Sequence, residues 1–198
     1  MVMSMTAALR KRAMTREQFL DWVERQDSAY EFDGSAPVGM VGGSLDHSRM
    51  IGNLNMALAS RLRGSGCEAL IEAGLATIGE AVRYPDALVT GTRAPGQDRL
   101  VPGAVVVFEV VSPSSNRIDR IDKLREYQAV PSIRRYVILE QTSAALTVFS
   151  RLDGETIWSA AVLTAEDTLV MPEIGVEIPI AEFYEGIDLP AADNPVTA

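Results

Sequence analysis

The apolar run Ala104–Val111 constrains the fold of this chain more than any other feature. It reads Ala-Val-Val-Val-Phe-Glu-Val-Val, and Glu109 is its single charged residue. A short, continuous run rich in β-branched residues predicts a strand that is buried on both faces, as in the centre of a sheet. The rest of the chain must therefore cover both sides of this strand.

Helices and further strands are predicted around that run. One helix is expected to begin after Thr15, a second to run from about residue 44 to about residue 63, and a third to span 117–129. Strands are predicted near 30–32, 38–41, 67–78, 84–90, 134–140, 145–151, 156–163 and 174–178, with a short helix near 179–185. This order predicts one α/β (α+β) domain over residues 14–186, with a mixed β-sheet flanked by helices. Residues 1–13 and 187–198 are expected to be tails, the first of them flexible.

Charge is unevenly distributed along the chain. The net charge of −9 argues against passive binding to nucleic acid, because phosphate contacts need lysine and arginine. Residues 1–135 nevertheless hold 17 basic and 16 acidic side chains, whereas residues 136–198 hold one basic and 11 acidic side chains. The single cysteine, Cys67, excludes an internal disulfide, and a buried thiol is expected there. No apolar segment is long enough to span a membrane, so we expect a cytoplasmic protein.

Lysine and histidine are scarce enough to single out individual residues. Lys11 and Lys123 are the only lysines, and Lys11 lies in the predicted N-terminal tail. Arginine supplies the positive charge elsewhere, so the lysine at position 123 suggests a specific role. His47 is the only histidine, which excludes any site built from several histidines.

Two carboxylates could belong to a site. Glu109 lies in the buried run, where an unpaired carboxylate is strongly unfavourable, so it must be paired, neutral or bound to a metal. A salt bridge to an arginine is the simplest alternative. Asp86 follows Pro85, which cannot donate to a central ladder and therefore marks the mouth of a strand. An aspartate beside proline is also a common turn residue.

Lys123 lies on the helix that follows the Glu109 strand. It shares one helical face with Asp119 and Tyr127, so an Asp119–Lys123 surface pair is the alternative to a role in a site. Two carboxylates with a lysine form a set that suits hard cations such as Mg²⁺ or Mn²⁺. The metal would neutralise charge on a phosphoryl group, and the lysine would position the attacking water.

Several motifs together resemble a known family. They are Tyr30-Glu31-Phe32-Asp33-Gly34, Gly42-Gly43-Ser44, His47, Asn53-Leu54, Arg83-Tyr84-Pro85-Asp86, Phe108-Glu109-Val110-Val111-Ser112-Pro113-Ser114, and Asp119-Arg120-Ile121-Asp122-Lys123 through Tyr127. From about Thr15 to Tyr184 the chain resembles the Uma-type restriction endonucleases of the PD-(D/E)XK nuclease superfamily. The resemblance implies a restriction-endonuclease-like fold and a Mg²⁺-dependent endonuclease that cleaves phosphodiester bonds in nucleic acid. DNA is the substrate that this implies, and a homodimer is expected by analogy, since cutting both strands needs two sites.

The resemblance also implies roles for the residues of the central motifs. Asp86 matches the aspartate of the "PD" element and Glu109 the second acidic residue, so both would bind the metal, together with the backbone carbonyl of Val110. Val111 stands where the superfamily usually has lysine. In the family that this chain resembles, that lysine stands on the following helix instead, and the matching residue here is Lys123.

The remaining polar residues are open to more than one interpretation. Glu31 matches the glutamate of the N-terminal element, which is one residue shorter here, and would assist the metal or its water. His47, Arg117 and Arg120 could contact a phosphate of the substrate, or they could equally serve the fold. A second hypothesis is a binding or regulatory module that has lost most cleavage on the same fold. A third is a structural protein whose buried carboxylates are merely paired.

Overall fold

The computed structural model describes residues 14–111 and 117–189, and for residues 117–119 the backbone alone. The predicted tail at 1–13, the segment 112–116 and residues 190–198 lie outside this description. Within it the helices are α1 (Arg16–Val23), α2 (Leu45–Arg61) and α3 (Arg117–Ala129), with a 3₁₀ helix at Ile180–Tyr184. The strands are β1 (Tyr30–Phe32), β2 (Pro37–Gly39), β3 (Glu68–Ile71), β4 (Leu75–Ala76), β5 (Val82–Arg83), β6 (Ala87–Thr90), β7 (Ala104–Val111), β8 (Arg135–Glu140), β9 (Ala145–Ser150), β10 (Ser159–Thr164), β11 (Thr168–Met171) and β12 (Val176–Pro179).

The largest sheet is mixed, as predicted. Its strand order is β10-β9-β8-β7-β6-β3, and β7 and β8 run parallel while the other neighbours run antiparallel. A smaller sheet has the order β2-β1-β5-β4, and β11 pairs with β12 alone. The parallel step from β7 to β8 needs a crossover connection, and α3 lies in that connection.

Strand β7 is buried on both faces, as its sequence predicts. Val106, Phe108 and Val110 belong to the core cluster that includes α2, whereas Val107 and Val111 belong to the cluster that includes Tyr127 of α3. Successive side chains of a strand point to opposite faces. Glu109 therefore shares the face of Val107 and Val111 and is directed towards α3.

Side-chain caps fix where the first two helices begin. The Thr15 hydroxyl accepts a hydrogen bond from the backbone of Gln18, whose side chain accepts in return from the Thr15 backbone. Ser44 caps α2 by accepting from the backbone N–H of His47 at 3.1 Å. This cap places His47 in the first turn of α2.

Some sequence-based boundaries differ from the structure. The strand predicted at 67–78 is two strands, β3 and β4, separated by a bend where Glu72 has a φ of 48°. Strand β11 was not predicted, and the short helix near 179–185 is a 3₁₀ helix. Cys67 is half-buried against the core instead of fully buried.

None of the helices in the described part of the chain is both long and apolar enough to cross a membrane.

Candidate active site

Glu109 lies within a buried polar cluster. Its side chain is reached from α3 by two donors on successive turns, Lys123 and Tyr127. The Lys123 Nζ lies 3.1 Å from Glu109 Oε1, and the Tyr127 hydroxyl donates to the same oxygen at 2.8 Å. The shared helical face of Lys123 and Tyr127 was predicted from their spacing. The partner of Glu109 is thus a lysine, whereas the simplest alternative was an arginine.

Lys123 also connects Glu109 to the smaller sheet. Its Nζ lies 3.2 Å from Oε1 of Glu31 on β1, a side chain that is itself buried. The same oxygen accepts from the backbone N–H of Tyr84 at 3.3 Å. Glu31 is therefore held beside Lys123 from two directions, which places it next to the predicted site despite the shortened N-terminal motif.

Arg83 forms a second, fully buried part of the cluster. Its guanidinium lies 3.0 Å from Glu31 Oε2 and makes a two-pronged contact with Glu126 of α3, at 2.8 and 2.6 Å. Thr77 donates to Glu126 as well. Arg83 belongs to a motif of the sequence that predicts no role for it, and no motif singles out Glu126. The only signal for Glu126 was its place three residues after Lys123, on an adjoining part of the same helix.

Asp86 is held against the end of β7. Its Oδ2 accepts a hydrogen bond from the backbone N–H of Val110 at 2.6 Å. In a strand the N–H and C=O of one residue point to the same side, so the Val110 carbonyl also faces the Asp86 side of β7. His47 Nε2 lies 3.3 Å from Asp86 Oδ1. Asp86 and the Val110 carbonyl therefore lie on the same side of β7, next in sequence to Glu109, and the charge of Asp86 is near enough to raise the pKa of Glu109.

The cluster carries more acidic than basic groups. Glu31, Glu109 and Glu126 are buried with Arg83, Lys123 is half-buried beside them, and Asp86 lies close by. Burial, reinforced by the charges of Asp86 and Glu31, raises the pKa of Glu109 to about 7 although Lys123 opposes this shift. The hydrogen bond to Asp86 raises the pKa of His47. An added cation would offset this excess of negative charge.

The oxygen donors at this end of the sheet fit a hard divalent cation. Asp86, Glu109 and the Val110 carbonyl supply carboxylate and carbonyl oxygens, which Mg²⁺ prefers, and Mg²⁺ usually completes its shell with water and substrate oxygens. In residues 14–111 and 117–189 no group of three or more His, Cys, Asp or Glu side chains has a metal-binding arrangement. The proposed set uses two side chains and one backbone oxygen, as magnesium sites that rely on water and phosphate do.

The three residues predicted to contact a phosphate, His47, Arg117 and Arg120, have different surroundings. Arg120 belongs to α3, and its Nη1 is 3.1 Å from Glu140 Oε1 on β8. His47 contacts Asp86 directly. The side chain of Arg117 lies outside the described residues. The structure thus brings Glu31, Glu109 and Lys123 into contact, sets His47 on Asp86, and pairs Arg120 with a carboxylate.

The contact between His47 and Asp86 depends on the absence of a side chain at position 43. A Cβ at Gly43 would lie 2.4 Å from Nδ1 of His47, whereas a Cβ at Gly42 would meet nothing within 4 Å. Gly43→Ala should therefore displace the imidazole from Asp86 and lower the pKa of His47 towards its ordinary value, and Gly42→Ala should leave it unchanged. Nuclear magnetic resonance titration measures this directly, because the chain has one histidine. An unchanged pKa in Gly43→Ala would refute the contact.

Comparisons with known proteins agree with this architecture. Residues 16–181 match the sequence model of the family Uma2, described as "Putative restriction endonuclease". Two uncharacterized proteins of Synechocystis sp. are similar: one is 28% identical over 88% of this chain and 93% of its own length, the other 22% identical over 79% and 90%. A crystal structure of "a putative nuclease belonging to DUF820" from Anabaena variabilis has a TM-score of 0.69, with 14% identity, and covers 86% of this chain and 97% of that one. The fold is therefore shared with that protein.

Proposed function

The chain belongs to the Uma2 family, and from that premise we propose that it is an endonuclease that uses a divalent metal to hydrolyse phosphodiester bonds in nucleic acid. One observation carries the proposal. The only lysine of the described residues touches Glu109 and Glu31, at the end of the sheet where Asp86 is fixed to Val110. Asp86, Glu109 and Lys123, which are distant in sequence, supply the ligand and charge types that this chemistry needs.

Each residue of the cluster has a distinct role in the proposal. Asp86, Glu109 and the Val110 carbonyl would hold Mg²⁺, with Mn²⁺ able to replace it. The bound metal supplies charge neutralisation at the phosphoryl group and a more acidic water. The Lys123 ammonium orients the attacking water and stabilises the negative charge that develops on the phosphoryl oxygens.

Neighbouring groups hold these residues in position. Glu31 contacts Lys123 and so fixes where its Nζ lies, while assisting the water. The Tyr127 hydroxyl donates to Oε1 of Glu109 and so fixes this carboxylate beside α3. His47 orients Asp86 through Oδ1. DNA as substrate, a cytoplasmic location and a homodimeric assembly are parts of the same proposal.

A binding or regulatory module is the second candidate function. It is favoured by the net charge of −9 and by the pairing of Arg120 with Glu140, which engages an arginine that could otherwise meet a phosphate. Cleavage assays on plasmid, single-stranded DNA and RNA with Mg²⁺, and with the metal removed by a chelator, separate the two functions. Metal-dependent products support the endonuclease. Metal binding without any product supports the module.

The affinity for Mn²⁺ is expected to rise with pH until about pH 7 and then level off. Burial raises the pKa of Glu109 to about 7, so below that value a proton competes with the metal for the carboxylate. Each pH unit below it should weaken binding by up to about tenfold. Isothermal titration calorimetry over this range measures the slope.

Two variants assign the slope to a residue. Glu109→Gln should bind Mn²⁺ weakly at every pH, so its affinity should not change with pH. His47→Gln removes the other titrating group beside Asp86 and should keep the pH dependence of the wild type. A slope that survives in Glu109→Gln, or is missing from the wild type, would contradict the assignment.

A further inference from the structure

Strand β10 is an edge of the large sheet that carries no protection against pairing. Its residues are Ser-Ala-Ala-Val-Leu-Thr, with no charge and no proline, and its pairing with β9 runs through six residues without a bulge. Charged side chains, prolines and bulges are the usual means by which proteins prevent an edge from pairing with another chain. All of them are missing from β10.

The opposite edge of the same sheet is different. Strand β3 contains Glu68 and ends at Ile71, just before Glu72, where the backbone adopts a left-handed conformation. Edge strand β2 of the smaller sheet contains Pro37. Of the two edges of the large sheet, β10 is therefore the one without protection, and with six residues it is also longer than the other uncharged edge strands, β4 and β11.

The absence of charge extends over both strands of the β9–β10 hairpin. Between Glu140 and Glu166 the charged residues are Arg151, Asp153 and Glu155, all in the connection between the strands. This is a long neutral stretch in a chain with 23% charged residues and a net charge of −9. Ala160, Ala161 and Val162 are exposed, and Val162 is 70% exposed. Two copies could meet here without bringing their negative charges together.

The backbone groups of Ala160 and Val162 point away from β9. The N–H and C=O of Thr164 are bonded to Asp167, and the N–H of Ala145 opposite is bonded to Ser143. Thr164 and Ala145 therefore form a pair without mutual hydrogen bonds. In an antiparallel ladder bonded and non-bonded pairs alternate, so Leu163, Ala161 and Ser159 bond to β9.

We propose that β10 is the surface through which two copies of this chain pair, antiparallel, about a two-fold axis at Ala161. In that register Ala160 of each copy exchanges both of its backbone hydrogen bonds with Val162 of the other. Ala161 then faces its own counterpart in a non-bonded pair, where the side chains come closest and alanine fits. The two large sheets become one continuous sheet, and the interface is the same patch on both copies, as a closed dimer requires.

The pairing is separate from the candidate active site. Glu31, Glu109 and Lys123 lie on β1, β7 and α3, and Asp86 precedes β6, so each copy keeps a complete site. Loss of the dimer and loss of cleavage are therefore distinguishable results.

Charge substitutions at the two-fold axis test the proposal. The wild type should sediment as a dimer, while Ala161→Lys alone and Ala161→Glu alone place like charges opposite each other and should raise the dissociation constant by roughly tenfold or more. An equal mixture of these two variants should dimerise again, because opposite charges then meet. Val170→Lys, at an exposed valine of β11, is the matched control and should remain dimeric.

Several outcomes would overturn the proposal. A wild-type chain that stays monomeric would exclude pairing of two copies through β10 and would favour a strand of another protein as its partner. A dimer that persists in both Ala161 variants would place the interface elsewhere. Failure of the mixture to restore pairing, with each variant shown by circular dichroism to be folded, would exclude the two-fold axis at Ala161.

Discussion

Replacing Lys123 with methionine is expected to lower metal-dependent cleavage by roughly 100- to 1,000-fold, the usual effect of removing one group that stabilises charge in a transition state. The Lys123 Nζ contacts Glu109 and Glu31, and methionine retains the apolar stem but none of the donors. Initial rates of plasmid cleavage at saturating Mg²⁺ measure the effect. Binding of Mn²⁺ should weaken much less than cleavage, because Lys123 is not a ligand.

Arg125→Ala is the matched control for that variant. Arg125 lies on the same helix, two residues further on, with its side chain 73% exposed and paired only loosely with Asp122 in the described structure. Its loss should leave cleavage within about twofold, since exposed pairs of this kind contribute little. Cleavage by Lys123→Met at the wild-type rate, or equal losses in both variants, would refute the role of Lys123.

Replacing Arg83 with methionine should lower the free energy of unfolding by about 3–5 kcal/mol, the range for removing one partner of a buried ion pair. Arg83 is 4% exposed and contacts both Glu31 and Glu126. Its removal leaves two buried carboxylates, and the ion pairs of the described residues give Lys123 as the other cation beside Glu31 and no other beside Glu126. Denaturant unfolding followed by circular dichroism measures the change.

A surface arginine provides the comparison for Arg83. Arg49→Met breaks an exposed pair with Asp46 at 2.6 Å and should change stability by less than about 1 kcal/mol. The double variant Arg83→Met with Glu126→Gln should recover part of the loss, because one of the two uncompensated charges is then removed. A loss below about 1 kcal/mol in Arg83→Met would contradict the buried cluster.

The strongest sequence patterns predicted their elements well. Strand β7 has the bounds predicted from an unbroken apolar run, and helix α3 has the predicted bounds 117–129, with Pro131 following it in the sequence. The common face of Lys123 and Tyr127 followed from the helical period alone, and both side chains meet Glu109. These features depend on local patterns, which a sequence displays directly.

Other features depend on contacts that a sequence does not display. The link from Arg83 to Glu126 joins β5 to α3, and neither residue has a neighbour in sequence that indicates the other. Strand β11 is only four residues long and is defined by its partner β12. The bend at Glu72, which splits one predicted strand into two, comes from a left-handed backbone in a non-glycine residue.

The position of the metal is the central claim, and diffraction from crystals soaked in Mn²⁺ measures it most directly. Anomalous scattering should show a Mn²⁺ peak bounded by the carboxylates of Asp86 and Glu109 and by the Val110 carbonyl, and Asp86→Asn should lose both the peak and cleavage. A peak at another group of residues, or metal-dependent cleavage that persists in Asp86→Asn, would contradict the account.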